Sequence, residues 1–240
     1  MTQKQRVANA AAYVLHALPY RETSLIVELF TRSHGRIGAV AKGAKRPRSA
    51  LRGVLMEFQP LAASWSGGGE LKTLTHAEWK GGQPMLAARA LLLGYYLNEL
   101  LLNLLPREDA HVELFDAYAR SIAELGAGGA AAPGLRRFER ILLAELGYLP
   151  LLTETAEGGV ALDPAGEYVF VPDRGALPAA GQSAHLVRYR GAVLNAIAAD
   201  DYSDPAVLQQ GRQLMRTLID QVLDGRMLNS RRIFFEMQEP

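Results

Sequence analysis

The chain has 240 residues, no cysteine, 49% hydrophobic residues and a formal net charge of +1. This length suits one large or two small domains, and the apolar share supports a buried core. The lack of cysteine excludes disulfides, cysteine-ligated zinc, iron–sulfur clusters and a thiol nucleophile, and it fits a cytoplasmic location. The apolar stretch 86–105 contains polar residues such as Arg89 and Glu99, so we predict a buried helix there and no membrane span.

The charge is distributed unevenly along the chain. Residues 1–80 hold 12 Lys/Arg against 5 Asp/Glu, whereas the rest of the chain is net acidic. Within 32–52 there is no acidic residue at all, although the segment contains Arg32, Arg36, Lys42, Lys45, Arg46, Arg48 and Arg52. A solvated face rarely excludes one sign of charge over such a length. This pattern predicts a polyanionic partner.

The first 80 residues have the texture of short strands joined by glycine-bearing turns. Runs of β-branched and aromatic residues predict strands at 12–18, 24–31, 36–41, 57–65 and 71–78. The glycines at 67–69 indicate a hairpin loop, and Pro60 indicates an edge or a bulge in the fourth strand. A small closed barrel would leave none of these strands with an exposed edge.

The rest of the chain is predominantly helical, which makes the predicted fold class α+β. Leucine-rich and amphipathic patterns predict helices at 85–105, 109–125, 135–146, 184–199, 205–223 and 229–237, with a flexible connector at 126–134. Asp204 before Pro205 is typical of an N-cap followed by proline at the first helical position. The Gly/Pro-rich segment 148–182 predicts a small irregular or β insert, with short β signals at 159–162 and 168–171. We expect two domains, 1–80 and 81–240.

The sequence contains no complete motif of a known enzyme class. The sequence 38–45 resembles a phosphate-binding loop, but Ala44 stands where the lysine belongs and Lys45 where the hydroxyl belongs. The five histidines lack metal-ligand spacing, and no Gly-x-Ser-x-Gly elbow occurs. A nuclease stays an alternative, although Glu22 and Glu28 are the acids of 1–52. We expect no catalytic residue, no metal and no cofactor.

The basic run predicts a nucleic-acid-binding surface. Cations at the end of a strand can neutralise several phosphates, which gives salt-dependent, sequence-tolerant affinity. Tyr20 and Arg21, after the first strand, could stack on bases. The predicted contacts are Tyr20, Arg21, Arg36, Lys42, Lys45, Arg46, Arg48 and Arg52, with Lys72 extending the path. This pattern does not distinguish DNA from RNA, so an RNA-binding or translation-associated protein is the alternative.

Several ordered segments resemble the bacterial recombination mediator family RecO. They are PYRETSLI at 19–26, FTRSHGR at 30–36, AKGAKR at 41–46, GELKTL at 69–74, YLNELL at 96–101, PRED at 106–109 and LGYLP at 146–150. The resemblance implies an N-terminal five-stranded OB barrel followed by a helical domain. It also implies a non-catalytic role in the RecF pathway of DNA repair. In that role the protein binds single- and double-stranded DNA, anneals complementary strands and, with RecR, helps RecA to replace single-strand-binding protein (SSB).

The resemblance carries two further expectations. Many RecO proteins have a four-cysteine zinc module after the LGY segment, but 151–176 has no cysteine, so we expect short strand pairings to hold the insert instead. The family also implies capture of the acidic, phenylalanine-ended tail of SSB, which needs a cation beside an apolar pocket. The candidate cations are Arg136, Arg137 and Arg140, and Arg231 near Phe234 and Phe235.

Overall fold

The N-terminal part of the chain is a closed five-stranded barrel, as the sequence predicts. The computed structural model describes residues 5–236, with side chains from Arg6 to Ile233. The strands are β1 (Gln5–Tyr20), β2 (Ser24–Thr31), β3 (Gly35–Ala41), β4 (Leu61–Gly67) and β5 (Leu71–Trp79). They follow one another around the barrel in the order β1-β2-β3-β5-β4. β3 and β5 pair in parallel and the other neighbours are antiparallel.

Two strands differ from their predicted lengths. β1 has 16 residues because its first half pairs with β4 and its second half with β2, with Ala12 opposite both Leu61 and Thr31. The alanine-rich start of β1 has little strand propensity, so the sequence predicts a strand that is too short. β4 begins immediately after Pro60, which has no N–H to give to a ladder. The predicted edge or bulge at Pro60 is therefore a strand start.

Helices α1 (Ala88–Leu104), α2 (Val112–Gly126) and α6 (Asn229–Glu236) belong to the same compact unit as the barrel. Tyr118 on α2 donates to Asn98 on α1 at 2.6 Å, and the Asn98 amide donates to the Leu15 carbonyl of β1 at 2.8 Å. These buried bonds fix both helices on the barrel. Packing therefore does not divide the chain at residue 80, where the sequence changes character. Met237, predicted to end the last helix, lies outside the described residues.

The second compact unit spans Ala130–Arg226 and holds the small β insert. It contains α3 (Ala131–Glu145), α4 (Gly191–Ala198) and α5 (Pro205–Val222) with a sheet of order β7-β6-β8. The strands of that sheet are β6 (Glu167–Val171), β7 (Gly175–Pro178) and β8 (Arg188–Arg190). Asp204 accepts a bond from the Ala206 amide at 2.8 Å, which confirms the predicted N-cap of α5.

Three predictions in this unit were wrong in detail. The connector 126–134 is half helical, because α3 starts at Ala131 and its first two residues, both alanine, favour helix. The helix predicted at 184–199 is replaced by β8 and the shorter α4, because Tyr189 pairs with Tyr168 of β6. The β signal at 159–162 amounts to an isolated bridge between Glu154 and Ala161.

Candidate nucleic-acid interface

The cationic segment after β3 is a structured plug at one end of the barrel. We call residues 42–55 the basic loop. Its apolar side chains enter the barrel core: Ala44 and Leu55 are buried there, and Leu51 and Val54 pack against the same cluster. Successive turns are closed by backbone bonds such as Arg46 N–H to the Gly43 carbonyl at 3.1 Å. Burial of the apolar residues therefore directs the intervening cations outward.

The basic cations are exposed and carry no internal partner. Lys42, Lys45, Arg46, Arg48 and Arg52 all lie on the surface. Within residues 6–233, none of them makes an ion pair or a side-chain hydrogen bond. Because like charges repel and no carboxylate offsets them, this surface favours an anion that bridges several of them. A phosphate backbone, with regularly spaced charges, has that form.

The turn between β1 and β2 is joined to the basic loop. The amide of Lys45 donates to the Thr23 carbonyl at 2.9 Å, and the amide of Gly43 lies 3.4 Å from the Ser24 hydroxyl. The turn carries Tyr20 and Arg21, whose guanidinium carbon lies 5.1 Å from the centre of the Tyr20 ring. The structure therefore brings these two predicted contacts beside the predicted phosphate-binding cations.

Two of the predicted contacts, Lys72 and Arg36, are engaged in internal ion pairs. Lys72 is only 3% exposed, and its ammonium lies 2.7 Å from a Glu108 carboxylate oxygen. The Arg36 side chain is 17% exposed; it donates to the Leu105 carbonyl at 3.1 Å and pairs with Glu28 at 3.4 Å. Burial lowers the pKa of Arg36, partly offset by Glu28. Neither cation is presented to a nucleic acid in this structure.

These residues belong to a group that we call the clasp, formed by Glu28, Arg36, Lys72, Arg107 and Glu108. Glu28 accepts from Arg107 as well as from Arg36, and the Glu108 amide donates to the Arg36 carbonyl at 3.0 Å. Sequence reasoning missed the acidic partners because Glu108 lies 36 residues from Lys72 and Arg107 lies 79 from Glu28. Only chain folding makes them neighbours.

Helix α2 covers another part of the outer surface of β2. Phe30 is fully buried against Phe115 and Tyr118, with ring centres 5.4 and 5.9 Å apart. At the edge of this contact, Arg32 makes two 2.9 Å bonds to Asp116, which lower the pKa of that carboxyl. Thus Arg32 of the basic run is also paired internally. The parts of the outer face of β2 and β3 that carry Glu28, Phe30 and Arg36 are therefore covered by the chain itself.

The candidate cations for an acidic tail fall in two different units. On α3, Arg136 is buried and pairs with buried Glu139 at 2.6 Å, so its guanidinium does not lie on the helix surface. Arg140 makes two bonds to Asp200, at 2.7 and 2.6 Å, and these raise the pKa of Arg140. Arg137 is half-buried, and its side chain takes part in an interaction within the chain. Arg231, in the barrel unit, lies 5.7 Å from the Tyr96 ring centre, whereas the side chains of Phe234 and Phe235 lie outside the described residues.

Metal-binding clusters and membrane-spanning helices are two other features that the described residues, 5–236, could contain. In the part of the chain from 5 to 236, no group of three or more His, Asp or Glu side chains is placed to hold a metal ion. No helix in that same part combines the length and hydropathy that crossing a membrane requires.

Comparisons with known proteins place the chain. The family model described as "Recombination protein O N terminal" matches residues 5–82, and "Recombination protein O C terminal" matches residues 86–232. The chain belongs to the RecO family. It is 52% identical over 239 residues to the "DNA repair protein RecO" of Aromatoleum aromaticum and 51% identical over 242 residues to that of Azoarcus sp., with full coverage of all chains. The relative from Ralstonia nicotianae is 49% identical, with 98% of this chain and 87% of the relative covered.

Membership confirms the resemblance drawn from the sequence and two of its implications. The closed barrel is the OB fold of the RecO N-terminal domain, and it is followed by helices with a small sheet, as expected. The RecO family is a family of DNA repair proteins. OB folds commonly bind nucleic acid on strands 2 and 3 and on the loops joining strands 1–2 and 4–5. In this RecO chain α2 and the clasp cover part of the outer face of β2 and β3, whereas the 1–2 turn is exposed beside the basic loop.

Proposed function

We propose that this RecO-family chain binds single- and double-stranded DNA through the basic loop and the adjoining Tyr20–Arg21 turn. The observation that carries the proposal is the set of exposed, internally unpaired cations at 42–52, held on an apolar plug in the barrel. The backbone anchoring means that the cations need no reordering of the loop to meet phosphates, which limits the entropic cost of binding. Contacts to phosphates rather than base edges make the affinity tolerant of sequence.

We further propose that the chain anneals complementary strands. Two strands repel each other as they approach, and a cationic surface that neutralises phosphates lowers this repulsion. Because the contacts go to the backbone, base edges stay available for pairing. The step changes base pairing without making or breaking a covalent bond, so the proposal needs no catalytic residue. It would take place on DNA in the cytoplasmic nucleoid.

Family membership supports a mediator role: with RecR, the chain would help RecA to load onto SSB-coated DNA. For the acidic SSB tail we propose the surface of α3 around Arg137 and Arg140, where a peptide carboxylate would compete with Asp200 for the Arg140 guanidinium. Arg136 then has a structural role through Glu139. Replacing Arg140 by Ala should weaken binding of the isolated SSB tail peptide and leave DNA affinity unchanged; the opposite ordering would contradict this placement.

The DNA-binding proposal is tested by salt dependence. A variant of four loop cations, Lys42, Lys45, Arg46 and Arg48 changed to Ala, should bind fluorescein-labelled single strands more weakly. Its plot of log K against log salt should be less steep by up to about 3, because each phosphate neutralised contributes about 0.7 to the slope. The matched control removes four exposed arginines of the second unit, namely Arg174, Arg188, Arg212 and Arg226.

Equal slopes for the loop variant and the wild type would contradict the proposal, provided that circular dichroism shows both to be folded. Competition with an RNA strand of the same sequence addresses the alternative partner: stronger RNA than DNA binding would favour an RNA-binding protein. Annealing is tested with complementary oligonucleotides, bare and SSB-coated. We expect acceleration that persists with SSB and is lost in the loop variant, whereas no acceleration by a DNA-binding protein would refute the annealing role.

A further inference from the structure

The turn next to the basic loop holds an arginine in an unusual backbone conformation. Arg21 follows β1 directly and has φ of +52°, a left-handed conformation that glycine, asparagine and aspartate adopt more readily than arginine. The conformation accompanies a specific placement: the Arg21 guanidinium carbon lies 5.1 Å from the centre of the Tyr20 ring, within range of a cation–π contact. The strained backbone of Arg21, in a conformation that would cost glycine less, points to a function for the guanidinium that the backbone places on the Tyr20 ring.

Arg21 and Tyr20 differ in exposure. Tyr20 is half-buried, whereas Arg21 is exposed and, among the described side chains, makes no ion pair. The guanidinium is thus supported from one side by an aromatic ring and is accessible to solvent. A guanidinium is a planar, delocalised cation that stacks on flat π systems, which an ammonium cannot do.

The position of this pair relative to the phosphate-binding cations is fixed by the backbone. The Lys45 amide bonds to Thr23 at 2.9 Å and the Gly43 amide approaches Ser24, so the turn and the basic loop form one structured surface. A stacking group beside a row of cations is the combination that binds single strands: the cations follow the backbone and the flat group takes a base. In a duplex, both faces of each base are covered by its neighbours.

We infer that Arg21, supported on Tyr20, is a stacking platform for one unpaired base, which gives the basic loop a preference for single-stranded over double-stranded DNA. The inference rests on the proposed function and specifies the substrate form that the site selects. It also gives annealing a direction. When the base pairs with a complementary strand, it leaves the platform, the extra contact is lost and the duplex product is held by phosphate contacts alone.

The test separates bases from phosphates. Binding is measured for two single strands of equal length and charge, oligothymidylate and an oligomer of abasic sites. Stacking of a base contributes about 1–3 kcal/mol, so the wild type should prefer the strand with bases by about 5- to 150-fold. Arg21→Lys keeps the positive charge but removes the plane, so the preference should fall to about 1 while affinity for the abasic strand and the salt slope stay unchanged.

A second variant guards against misfolding. Arg21→Gly suits the positive φ and relieves strain, so it should fold at least as well as the wild type and also lose the preference. Arg212→Lys is the control, an exposed arginine of the second unit that is not part of the proposed interface, and it should keep the preference. An undiminished preference in both Arg21 variants would overturn the inference but leave the proposed function standing. The four-cation loop variant tests that function independently through its salt slope.

Discussion

The barrel carries two groups of cations that are chemically alike and structurally opposite. The basic loop presents five cations to solvent, all without an internal partner among the described side chains. The clasp also contains three cations, Arg36, Lys72 and Arg107, but each of them meets Glu28 or Glu108. Arg36 and Lys42 are only six residues apart along the chain, at opposite ends of β3.

An excess of basic residues in a segment does not by itself locate a binding surface. In the loop, apolar residues alternate with the cations and enter the core, which leaves every charge facing water. In the clasp, β3 places Arg36 and β5 places Lys72 under the segment that joins α1 and α2, where burial demands a counter-charge. We therefore expect clasp changes to affect stability and loop changes to affect DNA affinity.

The largest loss of stability should come from adding a side chain at Gly35, where the segment that joins α1 and α2 packs against the barrel. A Cβ added to Gly35 would lie 1.8 Å from the Asp109 carbonyl oxygen, and Gly35 has φ of +65°. Gly35→Ala should lower the free energy of unfolding by about 3 kcal/mol or more, measured by urea denaturation. The control is Gly69→Ala, whose added Cβ meets nothing within 4 Å. Equal stabilities of the two variants would contradict the close contact.

A smaller loss of stability should follow from neutralising the carboxylate that Arg36 and Arg107 share. Glu28→Gln leaves the mostly buried Arg36 without its counter-charge and should cost about 2 kcal/mol in free energy of unfolding. Glu22→Gln, in the exposed β1–β2 turn, is the matched control and should be nearly neutral. If Glu28→Gln also raised DNA affinity, the clasp would have released a cation, and the division between the two groups would be too strict.

A pair of matched lysine changes separates the two groups by DNA binding. Lys45→Met removes one exposed cation and should reduce the log–log salt slope for duplex DNA by about 1. Lys72→Met removes the buried partner of Glu108, whose carboxylate stays partly exposed, so it should lower the free energy of unfolding by about 1 kcal/mol and leave DNA affinity nearly unchanged. A slope that fell equally in both variants would return Lys72 to the DNA path.

The smallest effect is expected at the exposed edge of the α2 contact. Arg32 lowers the pKa of Asp116, so the pair stabilises the fold above the ordinary aspartate pKa of about 3.9 and loses that contribution as pH falls through the folded-state value. Arg32→Ala should therefore lower the melting temperature slightly at pH 7, with a smaller difference at pH 3 and in high salt. A loss independent of pH would indicate that Arg32 acts through packing.

Regular local patterns allowed much of the fold to be predicted. The span predicted for β2, 24–31, is that of the structure, and the N-cap at Asp204 is present, because strand propensity and capping depend on neighbouring residues. The length of β1 and the replacement of a predicted helix by β8 were missed, because both depend on pairing with distant strands. In the candidate site, local sequence was enough to predict that the five loop cations are exposed. It could not show that Arg36, Lys72 and Arg136 are withdrawn from the surface, because their burial depends on how the chain folds around them.

The sequence alone is sufficient to predict the barrel, the helical remainder and the family of this chain, because strand alternation, helix periodicity and ordered motifs are local features of a sequence. It also determined which residues could meet a phosphate. The tertiary structure alone decided which of them do not face water. A carboxylate 36 residues from Lys72 and a helix packed on β2 take up one part of the barrel surface, while the apolar plug under the basic loop keeps the other part exposed. The energy of a charge depends on its partners and its solvation, and both are set by residues distant in sequence.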